Sequence, residues 1–306
     1  MKAHHIIWIL VLVALCALDL VVSGGLLPVG GVLLWKIRIP RMMAAAIAGG
    51  SLSLAGTQMQ ALFRNPLSDP HIMGVSGGAG LGAAIAALAV TGSTATMVSA
   101  AFLGALLTGI LVVWIASRIK STGTLLLTGV MLGFIFSAIS SILQYSATEE
   151  SLKLYYSWMA GSFGSVGKTG LAVMGGALLA GLLLAVPSGK GLDLVLFGDD
   201  FATLSGLPLK RLRFRVMLGC ALLAGSVTAF CGPIGFVGIV APHIVRRLEK
   251  TSVHRVVTPL ATLCGASLSV AADVIAHIGP YPLPVGSTMA IIGIPIVLTL
   301  LWRKKI

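Results

Sequence analysis

Few residues in this 306-residue chain have the type and spacing that chemistry requires, and the segment 161–169 comes nearest. Its sequence, G-S-F-G-S-V-G-K-T, resembles the phosphate-binding loop G-x-x-x-x-G-K-[ST], which holds nucleotide phosphates with backbone N–H groups and a lysine. The match fails by one place, because Ser162 stands where the first glycine is needed and Gly161 comes one residue too early. No strand pattern precedes the segment. We therefore do not expect this chain to bind ATP.

The remaining reactive residue types do not form a catalytic or metal-binding pattern. The four cysteines all lie inside apolar runs without C-x-x-C or Cys/His spacing, which is typical of small buried side chains. Neither G-x-S-x-G nor H-E-x-x-H occurs. Asp273 and His277 are four apart and share a helix face, either as a simple pair or with a direct role. We predict no enzyme activity, no metal and no cofactor in this chain.

Composition decides the class of protein. The chain is 57% hydrophobic and only 10% charged, too little charge to cover a water-soluble domain of this length. It is therefore predicted to be an all-α, polytopic membrane protein in the lipid bilayer. The net charge of +12 would suggest nucleic acid as a partner of a soluble protein. Here the positive residues lie in short connections that set topology, so no nucleic-acid partner is expected.

Apolar runs of roughly 20 residues predict about ten transmembrane helices. The first run is too long for the apolar part of a removable signal peptide, so we interpret it as a span. The predicted spans are 6–27, 42–63, 72–90, 96–116, 124–146, 170–187, 212–230, 233–248, 256–277 and 284–302.

The distribution of basic residues predicts that both termini are cytoplasmic. With that orientation most of the 21 Lys and Arg residues lie inside, as the positive-inside rule requires. The basic residues left outside are Lys36, Arg38, Arg41, Lys153 and Lys168.

Two halves of the sequence resemble each other, which predicts an inverted internal repeat of spans 2–5 and 7–10. Gly49 and Gly56 in the second span have the same spacing as Gly225 and Gly232 in the seventh. Each is followed by a Gly/Pro-interrupted segment that ends in Pro-His, at 70–71 and 242–243. Glycines at such spacing also serve close helix packing, so that alternative stays open.

The segment 187–215 is the one long stretch that becomes amphipathic and charged. Its acidic pair suits a helix N-terminus, an apolar face follows, and Gly206 ends the helix. A short helix held at the membrane face is suited to being pushed by another protein, although an ordinary cytoplasmic loop fits the pattern too. The residues concerned are Asp199, Asp200, Phe201, Leu204, Gly206 and Leu207.

The fifth span carries small and polar residues on one helical face. That face could line a pathway, form the seam of a dimer or serve close packing between helices. Its residues are Gly129, Gly133, Ser137, Ser141 and Gln144.

Seven motifs in order carry a family resemblance: R-I-P-R (38–41), G-x-x-x-Q-x-x-x-x-N-P-L (56–67), G-V-S-x-G-A (74–79), W-x-x-G-S (158–162), G-D-x-x-A-x-x-x-G (198–206), G-P-I-G-F-V-G-I-V-A-P-H-I-x-R (232–246) and L-P-V-G (283–286). Together they resemble the permease subunit of the iron–siderophore, haem and vitamin B12 class of ABC importers. Almost the whole chain is covered, which implies one permease domain over 1–306. The motifs do not distinguish among the three substrate types.

This resemblance also implies partners and a location. The permease would sit in the bacterial cytoplasmic membrane, paired with a second permease copy to form a homodimer. It would work with two cytoplasmic ATPase subunits, which bind ATP and Mg²⁺, and with an external substrate-binding protein. The segment 187–215 would then be the coupling segment that docks on the ATPase.

The resemblance further implies that Arg38 and Arg41 receive acidic residues of the binding protein. The end of the ninth span departs from the family pattern, because His277 stands where an arginine is expected. We therefore expect His277 to join the docking site and to make docking tighter in mild acid.

An ion-coupled secondary transporter with inverted repeats is the alternative function. Such transporters usually carry ionisable residues near the membrane midplane. Here Asp19 and Asp273 are the acids inside predicted spans, and both lie nearer the outer side. The role of Asp19 stays open at this point.

Overall fold

The computed structural model describes residues 2–22, 33–90, 93–119, 121–279 and 281–302, and within them the protein is helical and has no β-strand. Short 3₁₀ turns occur at Pro70–Met73 and Val186–Ser188, and π turns at Leu34–Arg38 and Ile85–Ala89. The α-helices are α1 Lys2–Val22, α2 Ile39–Leu62, α3 Val75–Ala84, α4 Thr94–Arg118, α5 Thr122–Tyr145, α6 Glu149–Met159, α7 Lys168–Ala185, α8 Gly189–Val195, α9 Asp199–Leu204, α10 Leu209–Cys231, α11 Val237–Glu249, α12 His254–Ala276 and α13 Val285–Trp302.

The prediction of an all-α, multi-pass membrane protein is confirmed. In the described part of the chain, six helical stretches are long and apolar enough to cross a membrane: α1, α4, α5, α7 continued by α8, α10 and α12. The other four predicted spans coincide with α2, α3, α11 and α13, so ten crossings stay a prediction. Residues 23–27 of the first predicted span lie outside the described residues.

Helix α2 is the centre of the packing, with α12, α10, α11 and α7 around it. It is buried on all sides over most of its length. Because its neighbours are protein rather than lipid, it can carry small and polar residues such as Ser51, Thr57 and Gln58, which are almost fully buried. This burial explains why its sequence is less apolar than that of the lipid-facing helices.

Glycines allow α2 to approach its neighbours at backbone distance. A Cβ atom on Gly49 would lie 2.2 Å from the carbonyl oxygen of Gly265 in α12, and one on Gly56 would lie 2.0 Å from that of Gly238 in α11. No real side chain is accommodated at such distances. At these two positions the glycine pattern serves close helix packing.

The two Gly/Pro-interrupted segments meet inside the bundle. Helix α3 starts after Gly74 and α11 after Phe236, residues with φ values of 75° and 70°. The ring of His71 in the first segment donates through Nε2 to the carbonyl oxygen of Ile234 in the second, over 2.7 Å. The two Pro-His pairs are not equivalent in position, because Pro70 opens a 3₁₀ turn whereas Pro242 lies inside α11. The two interrupted segments therefore resemble each other at the starts of α3 and α11, and their Pro-His pairs do not occupy equivalent positions.

The loop that resembles a phosphate-binding motif has a packing role. Phe163 is fully buried, the amide of Ser162 donates to the carbonyl of Cys231, and the carbonyl of Gly161 accepts from Val285. These bonds hold the segment that precedes α7 against the end of α10 and the start of α13. Cys220, Cys231 and Cys264 are buried free thiols, and among the described residues no group of His, Cys, Asp or Glu is placed to hold a metal ion.

Candidate functional site

The segment 187–215 folds into two short helices, α8 and α9, between the long helices α7 and α10. Helix α9 begins after Gly198, whose φ of 116° turns the chain between the two short helices. Asp199 and Asp200 occupy its first turn, where carboxylates suit the positive end of the helix dipole. The predicted short helix is therefore present, and it lies at the end of the bundle that the charge distribution predicts to be cytoplasmic.

Gly206 ends α9 in a Schellman motif. Its amide donates to the carbonyl of Thr203 over 2.9 Å, and the amide of Leu207 donates to that of Ala202 over 3.0 Å. Gly206 has a φ of 82°, a left-handed conformation that glycine adopts without steric cost. The prediction that the helix stops at Gly206 is confirmed.

Large apolar side chains on this segment face outward. Leu204 is 89% exposed, Phe201 is 49% exposed and Phe197 is 76% exposed. The rings of Phe197 and Phe201 contact each other with centroids 5.5 Å apart. We call Phe197, Phe201 and Leu204 the apolar patch. Exposed apolar surface outside the lipid is typical of protein interaction sites.

The composition of the patch corrects the sequence interpretation in two places. Leu207 was expected to share the apolar face, but it packs inward against the hydrophobic core. Phe197, which the sequence interpretation missed, takes its place. Helical spacing gave no signal for Phe197, because the turn at Gly198 separates it from α9 and brings its ring to that of Phe201.

Ion pairs fix the two short helices to the bundle. Asp199 accepts a hydrogen bond from Arg213 of α10 over 2.8 Å, and Arg213 is buried while Lys210, Arg211 and Arg215 are exposed. Asp193 of α8 accepts from the backbone amide of His254 over 2.9 Å and contacts its ring nitrogen Nδ1 over 2.6 Å. The apolar patch is therefore carried by short helices that are fixed to the bundle.

A buried charge cluster lies at the opposite end, which we call the outer end after the predicted orientation. Asp19 and Asp273 are 0% exposed and Arg41 is 5% exposed. Arg41 lies between the two acids, with its Nε 2.8 Å from Asp273 and its Nη2 3.5 Å from Asp19. The role of Asp19 that the sequence left open is thus to pair with Arg41. His277 is next to the cluster, its Nδ1 donating to the backbone carbonyl of Asp273 over 2.8 Å.

Arg38 and Arg41, which are predicted to receive acidic residues of a binding protein, are buried within the chain. Arg38 is 5% exposed and donates through Nη1 to the carbonyl of Leu20 over 2.8 Å. The arginines are buried because α1 and α12 supply the carboxylate and carbonyl oxygens that they contact. Residue spacing within α2 alone does not reveal these contacts. Docking of a binding protein on Arg38, Arg41 and His277 stays a prediction.

The residues of the predicted α5 face differ in their surroundings, because some pack against other helices and others are exposed. A Cβ on Gly129 would lie 2.6 Å from the carbonyl oxygen of Ile72, so this glycine serves close packing. Ser137 and Ser141 are exposed in the single chain, and Gln144 accepts a hydrogen bond from the hydroxyl of Tyr156 over 2.8 Å. Gly133 is partly exposed. The pathway or dimer seam stays a prediction for the exposed part.

A family model described as the FecCD transport family matches residues 6–303. The chain belongs to the FecCD transport family. Three relatives in this family are vitamin B12 import system permease proteins BtuC. That of Klebsiella pneumoniae is 37% identical over 300 residues, covering 96% of this chain and 90% of the relative. That of Vibrio cholerae is 37% identical over 279 residues, covering 89% and 83%. That of Escherichia coli O9:H4 is 36% identical over 300 residues, covering 96% and 91%.

Solved structures agree with the family assignment. An inward-facing metal-chelate-type ABC transporter superposes with a TM-score of 0.88 at 29% identity, covering 99% of each chain. PsaBC from Streptococcus pneumoniae, solved with a Fab, has a TM-score of 0.53 at 17% identity, covering 86% of this chain and 90% of its own. The second likeness concerns the fold alone. This FecCD chain is therefore a multi-pass membrane permease by family and by architecture.

Proposed function

We propose that this FecCD chain is the permease subunit of an ATP-driven importer that takes up cobalamin. The observation that carries the coupling to ATP is the apolar patch, since an anchored short helix with exposed Phe197, Phe201 and Leu204 needs a protein partner to cover it. Cobalamin is favoured over an iron chelate by the vitamin B12 permeases at 36–37% identity. Iron–siderophore complexes and haem are the competing substrates.

The proposed assembly contains partners of three kinds. Two cytoplasmic ATPase subunits bind ATP and Mg²⁺ and cover the apolar patch of each permease. A second copy of this chain completes the channel, in keeping with large exposed side chains on α5 such as Phe134 at 64% and Ile142 at 71%. An external binding protein delivers the substrate to the outer end, and both termini lie in the cytoplasm.

Ion coupling, the alternative mechanism, lacks support from the geometry. A secondary transporter needs carboxylates that can bind the coupling ion. Asp19 and Asp273 are instead engaged by Arg41 at the outer end. The proposal therefore keeps ATP hydrolysis on separate subunits as the energy source.

Leu204→Asp tests the coupling role. Burying this leucine at an interface is worth about 2 kcal/mol, and a carboxylate in its place adds a desolvation cost. We expect the variant to insert normally while ATPase association and substrate-stimulated ATP hydrolysis fall at least about tenfold. Val90→Asp is the matched control for ATPase association, because Val90 is also apolar and exposed but lies at the end of the bundle predicted to be external. Full hydrolysis and uptake by the Leu204 variant would remove the coupling assignment.

The substrate is tested by uptake into proteoliposomes that contain the permease, its ATPase and its binding protein. We expect ATP-dependent accumulation of radiolabelled cyanocobalamin and no accumulation of ferric siderophore or haem. Accumulation of an iron chelate instead of cobalamin would move the substrate assignment to that class while leaving the ATP-driven mechanism in place.

A further inference from the structure

A cavity with basic walls opens beside the coupling segment. Its volume is about 320 Å³, and its lining includes Gln60, Arg64, Leu196, Arg246, Ser252 and His254. The described lining contains no carboxylate. We call this cavity the cationic pocket. Leu196, which lines the cationic pocket, directly precedes Phe197 of the apolar patch in the chain.

Arg64 occupies a backbone position that favours glycine. Helix α2 ends in a Schellman motif, in which the amide of Arg64 donates to Ala61 and that of Asn65 donates to Gln60, both over 3.2 Å. Arg64 is the left-handed residue of this motif, with a φ of 49°, just as Gly206 is in α9. A non-glycine residue in this conformation costs about 1–2 kcal/mol. An arginine therefore occupies this position although the backbone conformation favours glycine.

Arg246 is held in the pocket by a neutral partner. Its guanidinium donates to Oε1 of Gln60, whose Nε2 donates in turn to the carbonyl of Gly238 over 3.1 Å. Among the described residues neither Arg64 nor Arg246 has a carboxylate within 4.0 Å.

Two of the three acids of the coupling segment are engaged elsewhere, and the third, Asp200, is exposed. Asp193 pairs with His254, and Asp199 pairs with Arg213. The two arginines of the pocket therefore keep guanidinium donors for an acidic group from outside the chain.

We propose that the cationic pocket receives an acidic side chain of the ATPase subunit, next to the apolar patch. This inference rests on the proposed function, because it requires an ATPase partner. Two guanidinium groups in one cavity hold a carboxylate by paired, charge-assisted hydrogen bonds. Since Arg246 is partly buried, its charge gains from a partner that also excludes water. The apolar patch then provides contact area with the ATPase, and the ion pair in the cationic pocket fixes the position of the ATPase on the permease.

Arg64→Gly is the variant that isolates the guanidinium. Glycine suits the left-handed position, so the change removes the charge and relieves backbone strain at the same time. We expect the ATPase to bind this variant about tenfold more weakly at low salt, with a smaller difference at high salt, where charge contacts are screened. Binding is measured with the full-length permease in phosphatidylcholine nanodiscs and phosphate-free buffer, which excludes anionic lipid and phosphate as the source of the effect.

Two further variants complete the test. Arg246→Gln is expected to weaken ATPase binding in the same salt-dependent way. Arg118→Gln removes an exposed arginine that stacks on Trp114, outside the pocket, and is expected to change binding less than about twofold.

The outcomes separate this inference from the proposed function. Normal ATPase binding by Arg64→Gly, or a loss that salt does not reduce, overturns the cationic pocket while Leu204→Asp still uncouples. If neither Arg64→Gly nor Leu204→Asp alters ATPase binding, the proposed function itself fails.

Discussion

At the outer end of the bundle Arg41 lies between two buried carboxylates, whereas at the opposite end Arg64 and Arg246 line a cavity without any. The outer cluster is closed by the helices themselves, while the coupling segment leaves Phe197 and Leu204 in contact with solvent. The comparison shows that the outer cluster is complete within one chain, and it supports the proposal that a partner completes the coupling end.

The difference has a physical basis in where charges can be neutralised. A buried arginine is tolerated when carboxylates from neighbouring helices pair with it, as Asp19 of α1 and Asp273 of α12 do. An arginine near the aqueous face can remain without a carboxylate, because water solvates it until a partner arrives. The first arrangement stabilises the fold, and the second is suited to reversible binding.

The largest effect is expected from Arg41→Leu, which leaves two carboxylates buried together. Removing one partner of a buried pair costs about 3–5 kcal/mol, because the remaining charge has lost its neutralising neighbour. We expect a marked loss of thermal stability of the purified permease in detergent, measured by differential scanning fluorimetry.

Neutralising the acids tests the reason for that loss. Combining Arg41→Leu with Asp19→Asn and Asp273→Asn is expected to recover much of the stability. A melting temperature unchanged by Arg41→Leu alone would contradict the view that the outer cluster holds α1, α2 and α12 together.

An intermediate effect is expected from Gly206→Ala at the coupling end. No atom lies within 4 Å of the added Cβ, so the cost is conformational, about 1–2 kcal/mol for a left-handed alanine. The end of α9 should fray, and ATPase binding should weaken several-fold with little change in the melting of the bundle. Gly206→Asn, which tolerates this conformation better, should bind more nearly as the unmodified protein does. Equal binding by Gly206→Ala would show that α9 docks without its fixed end.

The smallest effect is expected from Arg38→Gln. Since this side chain is 5% exposed, we expect the binding protein to associate within about twofold of its normal affinity at low salt. A tenfold loss would mean that Arg38 is uncovered when the binding protein docks, and it would support the docking role expected from the sequence.

The sequence by itself determined the class of protein, the long apolar helices and the stop of α9 at Gly206. Apolar runs of membrane length can only be helices, because lipid offers no partner for backbone polar groups. The left-handed turn at Gly206 is likewise a local property of the chain. Order and spacing of the motifs were enough to identify the family, which the match over residues 6–303 confirms.

The tertiary structure decided which charges are inside. Asp19 and Arg41 come from consecutive helices and Asp273 from a helix near the other end of the chain, so their pairing depends on packing that periodicity does not encode. Packing likewise turned Leu207 inward, left Phe197 outward and set Arg64 beside Arg246. A residue's exposure depends on what the other helices cover, whereas its local conformation depends on its neighbours in the chain.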